Sequence, residues 1–290
     1  MKTITVLSGK GGVGKSSIAA SLAVTLAKER KIICADCDVD ASNLSLVLGA
    51  NKYEEWTDLS TNEKAVFDLD KCISCKKCMK ECYFDAIEWI DNKPKLKPFS
   101  CEGCGLCELV CPQKAITLKK INNAKIGYAN TKYGFSVFSA QLNMGESGSG
   151  KVVFEVRRKA KESRKDAEIM IIDSAAGIGC PVIASVTGSD YAIIVTEPTP
   201  SGISDMRKAF EIVSHFKIPC SIIINKYDLN EEQTGLVEEF AKRNDLKILA
   251  KIPFDKKFAK ALTEMVPIIE YEKGYEKVFN EIKNALHEIF

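Results

Sequence analysis

The sequence predicts an α/β protein: a doubly wound, mostly parallel sheet interrupted by one small inserted domain. Three observations lead there, namely six short apolar segments, helical patterns lying between them, and one cysteine-rich stretch that breaks the alternation. The segments are 2–8, 31–36, 168–173, 191–196, 220–225 and 246–252, nearly continuous in Ile and Val, as strands covered on both faces are. Helical periodicity falls at about 15–29, 181–187, 203–215, 231–243 and 271–289. Asn230 is placed to cap the fourth helix, with Gln233 completing a capping box. The stretch 60–122 is rich in Cys and Lys and lacks long apolar strands, so it reads as an α+β insert between the second and third strands. The sheet domain is then 1–59 and 123–290, discontinuous in sequence, and 123–150 (rich in Asn, Gly, Ser and Tyr) reads as a connector.

Composition narrows the function. With 41 Lys+Arg against 39 Asp+Glu, bulk charge supports neither nucleic-acid nor membrane-surface binding. Two histidines, His215 and His287, leave most histidine-based catalytic and zinc constellations without ligands. The apolar runs are strand-sized, too short to span a bilayer, and the N-terminus passes straight into a glycine loop, unlike a signal peptide. A cytoplasmic protein is expected. The last helix carries Tyr275, Val278, Phe279, Ile282, Leu286 and Ile289 at helical spacing, but Glu slightly outnumbers Lys on it, so core packing is expected rather than a membrane anchor. The basic run Arg157, Arg158, Lys159 and Lys161 reads as a solvated helix face.

Residues 9–16, Gly-Lys-Gly-Gly-Val-Gly-Lys-Ser, follow a strand and open a helix, the context a phosphate loop requires. Backbone N–H groups of Gly11, Gly12, Val13 and Gly14 would cradle phosphate oxygens at the helix N-terminus, with Ser17 beside them. Lys15 should reach the β- and γ-phosphates of ATP, and the Ser16 hydroxyl should ligate Mg²⁺. The alternative, an ordinary glycine-rich turn, does not explain the lysine and serine in register. Gly145-Glu-Ser-Gly-Ser-Gly150-Lys151 imitates this motif, but Val152 follows it instead of a metal-ligating hydroxyl. It is expected to be a turn ahead of a helix over 151–162.

The extra Lys10 after the first glycine makes the loop resemble the deviant Walker A motif of the MinD/ParA/Mrp P-loop ATPases, whose superfamily includes the nitrogenase iron protein. The resemblance covers nearly all of the chain outside the insert. It implies a homodimer in which Lys10 crosses to the partner's nucleotide, acting as an arginine finger does. It also implies a catalytic set of Lys10, Lys15 and Asp38. Asp36-Cys37-Asp38-Val39-Asp40 and Asn43 match switch I, with Asp38 orienting the attacking water and Asp36 close to Mg²⁺. Asp173-Ser-Ala-Ala-Gly177 matches Walker B and switch II, with Asp173 holding hydrated Mg²⁺. Asn225 resembles the adenine-reading asparagine, and Pro253 and Asp255 the second base contact; solvated strand-end residues would explain Pro253 and Asp255 equally well.

Eight of the twelve cysteines fall in two matching runs: Cys72, Cys75, Cys78, Cys82 and then Cys101, Cys104, Cys107, Cys111, the latter followed by Pro112. This is the bacterial two-cluster ferredoxin spacing stated twice, in which the fourth cysteine of each run ligates the other cluster. Two [4Fe–4S] clusters are therefore expected, one on Cys72, Cys75, Cys78 and Cys111, the other on Cys101, Cys104, Cys107 and Cys82. Zinc ribbons use two separated pairs rather than two triplets with a trailing fourth, and nothing here suggests disulfides. Tyr83 stands where the second run has Pro112, which removes no ligand.

Cys34, Cys37 and Cys220 read as small core residues. Cys180 lies seven residues after Asp173 at a helix start, which favours thiolate. The nitrogenase resemblance makes it a ligand to a metal or labile cluster bridging two subunits; a buried helix-start thiol is an equally good reading.

An ATPase whose hydrolysis of ATP to ADP gates electron transfer through two clusters to a partner metalloprotein is expected. A cluster or metal carrier of Mrp type that serves an apo-acceptor is the alternative. A third is a MinD/ParA-like positioning ATPase with redox-sensing clusters, which the absence of a basic tail and of excess positive charge disfavours.

Overall fold

The computed structural model describes residues 1–50, 52–146 and 148–289. Its strands, in chain order, are β1 (Lys2–Ser8), β2 (Ile32–Cys37), β3 (Glu55–Leu59), β4 (Asn62–Phe67), β5 (Ile87–Ile90), β6 (Lys93–Leu96), β7 (Ile116–Ile121), β8 (Ala124–Asn130), β9 (Ser136–Leu142), β10 (Ile169–Ala176), β11 (Tyr191–Thr196), β12 (Cys220–Asn225) and β13 (Lys247–Ile252). Nine of these form one sheet in the order β13-β12-β11-β1-β10-β2-β9-β8-β3. From β13 to β9 every neighbouring pair is parallel. β1 lies between β10 and β11, so its carboxyl end opens where the strand order reverses, and ligands of open α/β sheets bind at such a point.

Alternate residues of each central strand feed two separate cores, which is why the strands read as continuous apolar runs. Ile193 and Val195 pack on one face with Leu22 and Leu26 of the helix Lys15–Ala27 and Phe279 of the helix Glu276–His287. Ala192 and Ile194 pack on the other with Met206 of the helix Pro200–His215 and Val237 of the helix Glu231–Arg243. The sheet is thus covered on both sides, as parallel sheets require.

Several elements depart from the sequence reading. The segment read as a connector supplies β8 and β9, and β9 extends the parallel sheet by pairing with β2. Its Gly, Tyr, Asn and Ser content concealed the strands, although β9 is buried continuously from Ser136 to Ala140, its serines included. The third predicted strand runs on to Ala176, so Asp173 lies inside β10 rather than at its end. The helix predicted from 203 begins at Pro200, because Thr199 caps it and proline suits the first turn. The helix predicted over 271–289 is broken: Ile268–Tyr271 and a 3₁₀ turn Lys273–Tyr275 precede Glu276–His287. Of the imitation phosphate loop, Ser147 lies outside the described residues, and a helix Ser149–Ser163 already includes Gly150 and Lys151. Asn230 does cap its helix, accepting the Gln233 N–H at 2.9 Å.

The chain divides into two compact units, one of 1–56, 126–141 and 149–290, the other of 57–125 with 142–148. The segment 142–148 belongs with the second unit because Glu146 pairs with Lys64 at 2.6 Å and the Asn143 N–H donates to the Asn123 carbonyl. Within that unit β4 pairs antiparallel with β7 and β5 with β6, and two single-turn helices, Lys77–Lys80 and Leu106–Leu109, lie inside the cysteine runs and carry Cys78 and Cys107.

Phe279 is fully buried in the larger core. Phe279→Ala is expected to lower stability by about 3–5 kcal/mol, read by chemical denaturation; a loss under about 1 kcal/mol would mean that the helix is not integral to the core.

Candidate functional site

The phosphate loop is built by a turn that only glycine accommodates easily. Gly12 and Gly14 have φ of +80° and +92°, and a Cβ on Gly14 would collide with the Asn225 side-chain amide. Asn225 Nδ2 donates to the Val13 carbonyl at 2.7 Å, and Lys226 Nζ donates to the Gly12 carbonyl at 3.0 Å, so the end of β12 braces the loop. Gly14 occupies the N-cap of the helix Lys15–Ala27 with no side chain capping it, which leaves the first-turn N–H groups open to an anion.

Lys15, 7% exposed, extends beneath the loop to Asp173 Oδ1 at 2.5 Å. Asp173 lies directly abreast of Asp36 on the neighbouring strand. Burial and then the Asp173 carboxylate push Asp36 up to about 8, although the N–H groups of Leu44 and Asp38 bind its oxygens. Burial also raises Asp38, against the pull of Lys15. Burial alone would lower Lys15, but Asp173, Asp36 and Asp38 outweigh it and keep it charged. Asp173 Oδ2 is buried without a hydrogen-bond partner. An orphaned carboxylate oxygen beside Ser16 and a second carboxylate is a donor set of the hard-oxygen type that suits Mg²⁺.

Gly12, Gly14, Ser17, Asn225, Pro253 and Asp255 line one cleft of about 310 Å³ beside the loop. The sequence-predicted base contacts therefore share a wall with the phosphate loop. One amide N–H of Asn225 is committed to Val13, and Asp255 accepts hydrogen bonds from the Tyr275 hydroxyl and the Lys257 N–H.

Glu197, which the sequence reading passed over, organises the other side. Its two oxygens meet Lys10 at 2.7 Å and Lys226 at 2.8 Å. Burial would raise this carboxyl, yet the two lysines hold it below the ordinary carboxylate range. Lys10 Nζ also donates to Ser201 Oγ at 3.1 Å. An acidic residue just past a strand terminus, next to the Thr199 cap, was the available signal.

The cysteine runs converge in pairs. Cys72, Cys75, Cys78 and Cys111 line one cleft, and Cys101, Cys104, Cys107 and Cys82 line another. Burial raises Cys78, with neighbouring thiols adding to it, and pushes Cys107 up to about 11 for the same reasons. Among the described residues no three His, Cys, Asp or Glu side chains gather to hold a single metal ion. Cys34 and Cys37 are fully buried, while Cys220 is half-buried. Cys180 is exposed at the start of the helix Cys180–Val186, which removes the buried-thiol reading.

Residues 4–268 match the family described as the CobQ/CobB/MinD/ParA nucleotide binding domain. The chain belongs to this family. It is a P-loop ATPase, an enzyme that hydrolyses ATP. An uncharacterized protein of Methanocaldococcus jannaschii is 35% identical over 98% of this chain and 96% of its own length. A Pyrococcus horikoshii protein named iron-sulfur cluster carrier protein is 26% identical over 99% of this chain and 87% of its own length. The structure of the septum site-determining protein MinD with Mg-ADP, also from Pyrococcus horikoshii, superposes with a TM-score of 0.62, covering 99% of this chain and 96% of that one, at 20% identity. That last likeness is one of fold. Among the described residues no helix is long and apolar enough to cross a membrane.

The Asp36 shift sets a pH dependence. The folded chain keeps a proton there that an unfolded aspartate, with a pKa of about 3.9, has lost. This contribution to stability is therefore full below about pH 4 and disappears as pH rises towards 8. In buffer free of nucleotide and divalent cations, Asp36→Asn should lose less Tm than the wild type between about pH 5 and about pH 8. Equal slopes would contradict the shift.

Proposed function

We propose that this ATPase couples its nucleotide state to electron transfer through two [4Fe–4S] clusters held in the insert, toward a partner metalloprotein. One observation carries the reading. The eight cysteines line two clefts in the crossed sets, three from one run and the trailing one from the other, that two-cluster ferredoxins use. A single zinc ion needs its thiolates within about 4 Å of one another, given a Zn–S distance of about 2.3 Å. A four-iron core takes one thiolate at each corner and spreads them further, and four cysteines around each cleft supply that number of ligands. When bound, such clusters supply one-electron carriers.

In the ATPase unit the chain's own residues divide the work. Gly11 to Gly14 offer N–H groups to the phosphates, Lys15 neutralises charge developing on them, and Asp38 positions water. Ser16, Asp36 and Asp173 would hold Mg²⁺, which supplies charge neutralisation at the β- and γ-phosphate oxygens. Asn225, Pro253 and Asp255 would hold the base. In a homodimer Lys10 reaches the nucleotide of the second copy, and in the nucleotide-free chain Glu197 keeps it at home. The reorganisation of switch segments around Asp38 and Gly177 would then carry nucleotide state to the partner.

A second reading, an iron–sulfur cluster carrier, draws on one specific observation, the exposed Cys180, together with the name of the Pyrococcus relative. In it, paired Cys180 residues of two copies hold a transferable cluster or metal. Cys180→Ala should then abolish transfer to an apo-acceptor; unchanged transfer removes this reading.

Three measurements bear on the main proposal. After anaerobic reconstitution, Cys78→Ala and Cys111→Ala should each lose the same cluster by iron, sulfide and EPR analysis, and Cys82→Ala the other. Loss of one cluster by both Cys111→Ala and Cys82→Ala would break the crossed assignment. Lys10→Ala should reduce ATP turnover by about 10³-fold or more while ATP still binds; undiminished turnover would rule out the role in the second copy's site. Cluster reduction potentials should differ between the ADP and ATP forms, and identical values would leave nucleotide coupling without support.

A further inference from the structure

We propose that the two cysteine clefts are electrostatically unequal, so that the cluster on Cys72, Cys75, Cys78 and Cys111 takes up the first electron and the cluster on Cys101, Cys104, Cys107 and Cys82 has the lower potential. This rests on the cluster reading above. The internal repeat supplies a built-in control, because each position in one run has its counterpart in the other.

Backbone features match across the repeat and cancel. Ser74 and Gly103 are both left-handed, as are Lys76 and Gly105, and Asp85 and Lys114. Each cleft has one backbone N–H on a trailing sulfur: Ala115 N donates to Cys111 Sγ and Ala86 N to Cys82 Sγ, both at 3.3 Å. The difference lies in side chains. Lys76 and Lys77 line the first cleft where Gly105 and Leu106 line the second, and Glu102 lines the second where Ile73 lines the first. Trp89 lines the first and its counterpart Leu118 the second. The Trp89 Nε1 is buried with no hydrogen-bond partner, a donor free for a sulfur at the wall of the cleft. Lys76 Nζ sits 5.5 Å from the centroid of the same ring, which fixes that charge beside the cleft.

The flanks of the trailing cysteines lean the same way. Glu81 and Asp85 bracket Cys82 of the second set, although Lys97 pairs with Asp85 at 2.5 Å, while Lys114 follows Cys111 of the first. Reduction adds one electron and moves no proton or bond, so it is favoured by nearby positive charge and N–H donors and opposed by nearby carboxylates. The lysines and Glu102 are exposed, so added salt should narrow the gap between the two potentials.

The test is an EPR-monitored redox titration of the reconstituted full chain, with dithionite as the electron donor. Two one-electron steps are expected. Lys76→Gly with Lys77→Leu, which copies the second run and places glycine at a left-handed position, should shift only the upper step down. Trp89→Phe should shift the same step down by removing the N–H, and Glu102→Ile should shift only the lower step up. If the double variant fails to hold iron, Lys77→Gln alone gives the same reading at smaller amplitude. A full complement of iron with a single unresolved step, or lysine variants that move the lower step, would overturn the inequality and leave the cluster reading standing. Iron and sulfide for fewer than two clusters in the wild type would overturn both.

Discussion

The buried pair between Lys15 and Asp173 is the interaction on which the nucleotide site depends. Strand pairing sets Asp36 and Asp173 side by side at the reversal point of the sheet, where burial makes two negative charges untenable without a cation. Lys15 supplies it, and everything around the lysine follows from getting it there. The helix must begin at Lys15, so the chain must turn from β1 into that helix within a few residues. That turn demands left-handed glycines at positions 12 and 14, and the missing Cβ of Gly14 lets Asn225 close in behind the loop. One ammonium cannot satisfy both carboxylates: Asp36 keeps its proton and one oxygen of Asp173 stays unpartnered. The nucleotide-free site is thus balanced by a proton and a lysine at the place where a divalent cation and phosphates would share the same charges.

Much of this was legible in the sequence because the central strands are buried on both faces and spell themselves out in Ile and Val. β11 and β12 fall on their predicted spans for that reason, and Asn230 caps its helix as its side chain suggested. β8 and β9 were not legible: strands toward one side of the sheet tolerate Gly, Tyr, Asn and Ser, and those residues also spell loops. The phosphate loop is a local motif and could be read directly. Glu197 offered only its place past a strand end, since its role depends on bringing Lys10 and Lys226 together from distant parts of the chain and no spacing pattern announces that.

The second unit shows the complementary case. Its apolar cluster is small: among the described residues Ala65, Cys78, Ile87 and Ile116 are its buried members, with Cys82, Cys101, Cys107, Cys111 and a few partly buried apolar side chains packed on them. A unit so small rarely builds enough core to fold without help from a metal or a disulfide. The regular cysteine spacing was therefore more informative than its hydrophobic pattern. The left-handed Ser74 and Lys76, each costing about 1–3 kcal/mol, mark where the first run holds the same turns that glycine gives the second.

The crossing of Cys82 and Cys111 also bears on the order in which the chain is made. Neither half of the repeat closes a cleft by itself. As the polypeptide leaves the ribosome, the first cleft begins with Cys72 but lacks its last wall until Cys111 has emerged, whereas the second is complete at Cys107. Both therefore become whole within four residues of each other, late in the synthesis of the insert. A nascent chain stalled between the runs presents two unfinished cups and no finished one, and a truncation ahead of Cys107 costs both clefts at once, whereas one between Cys107 and Cys111 costs only the first.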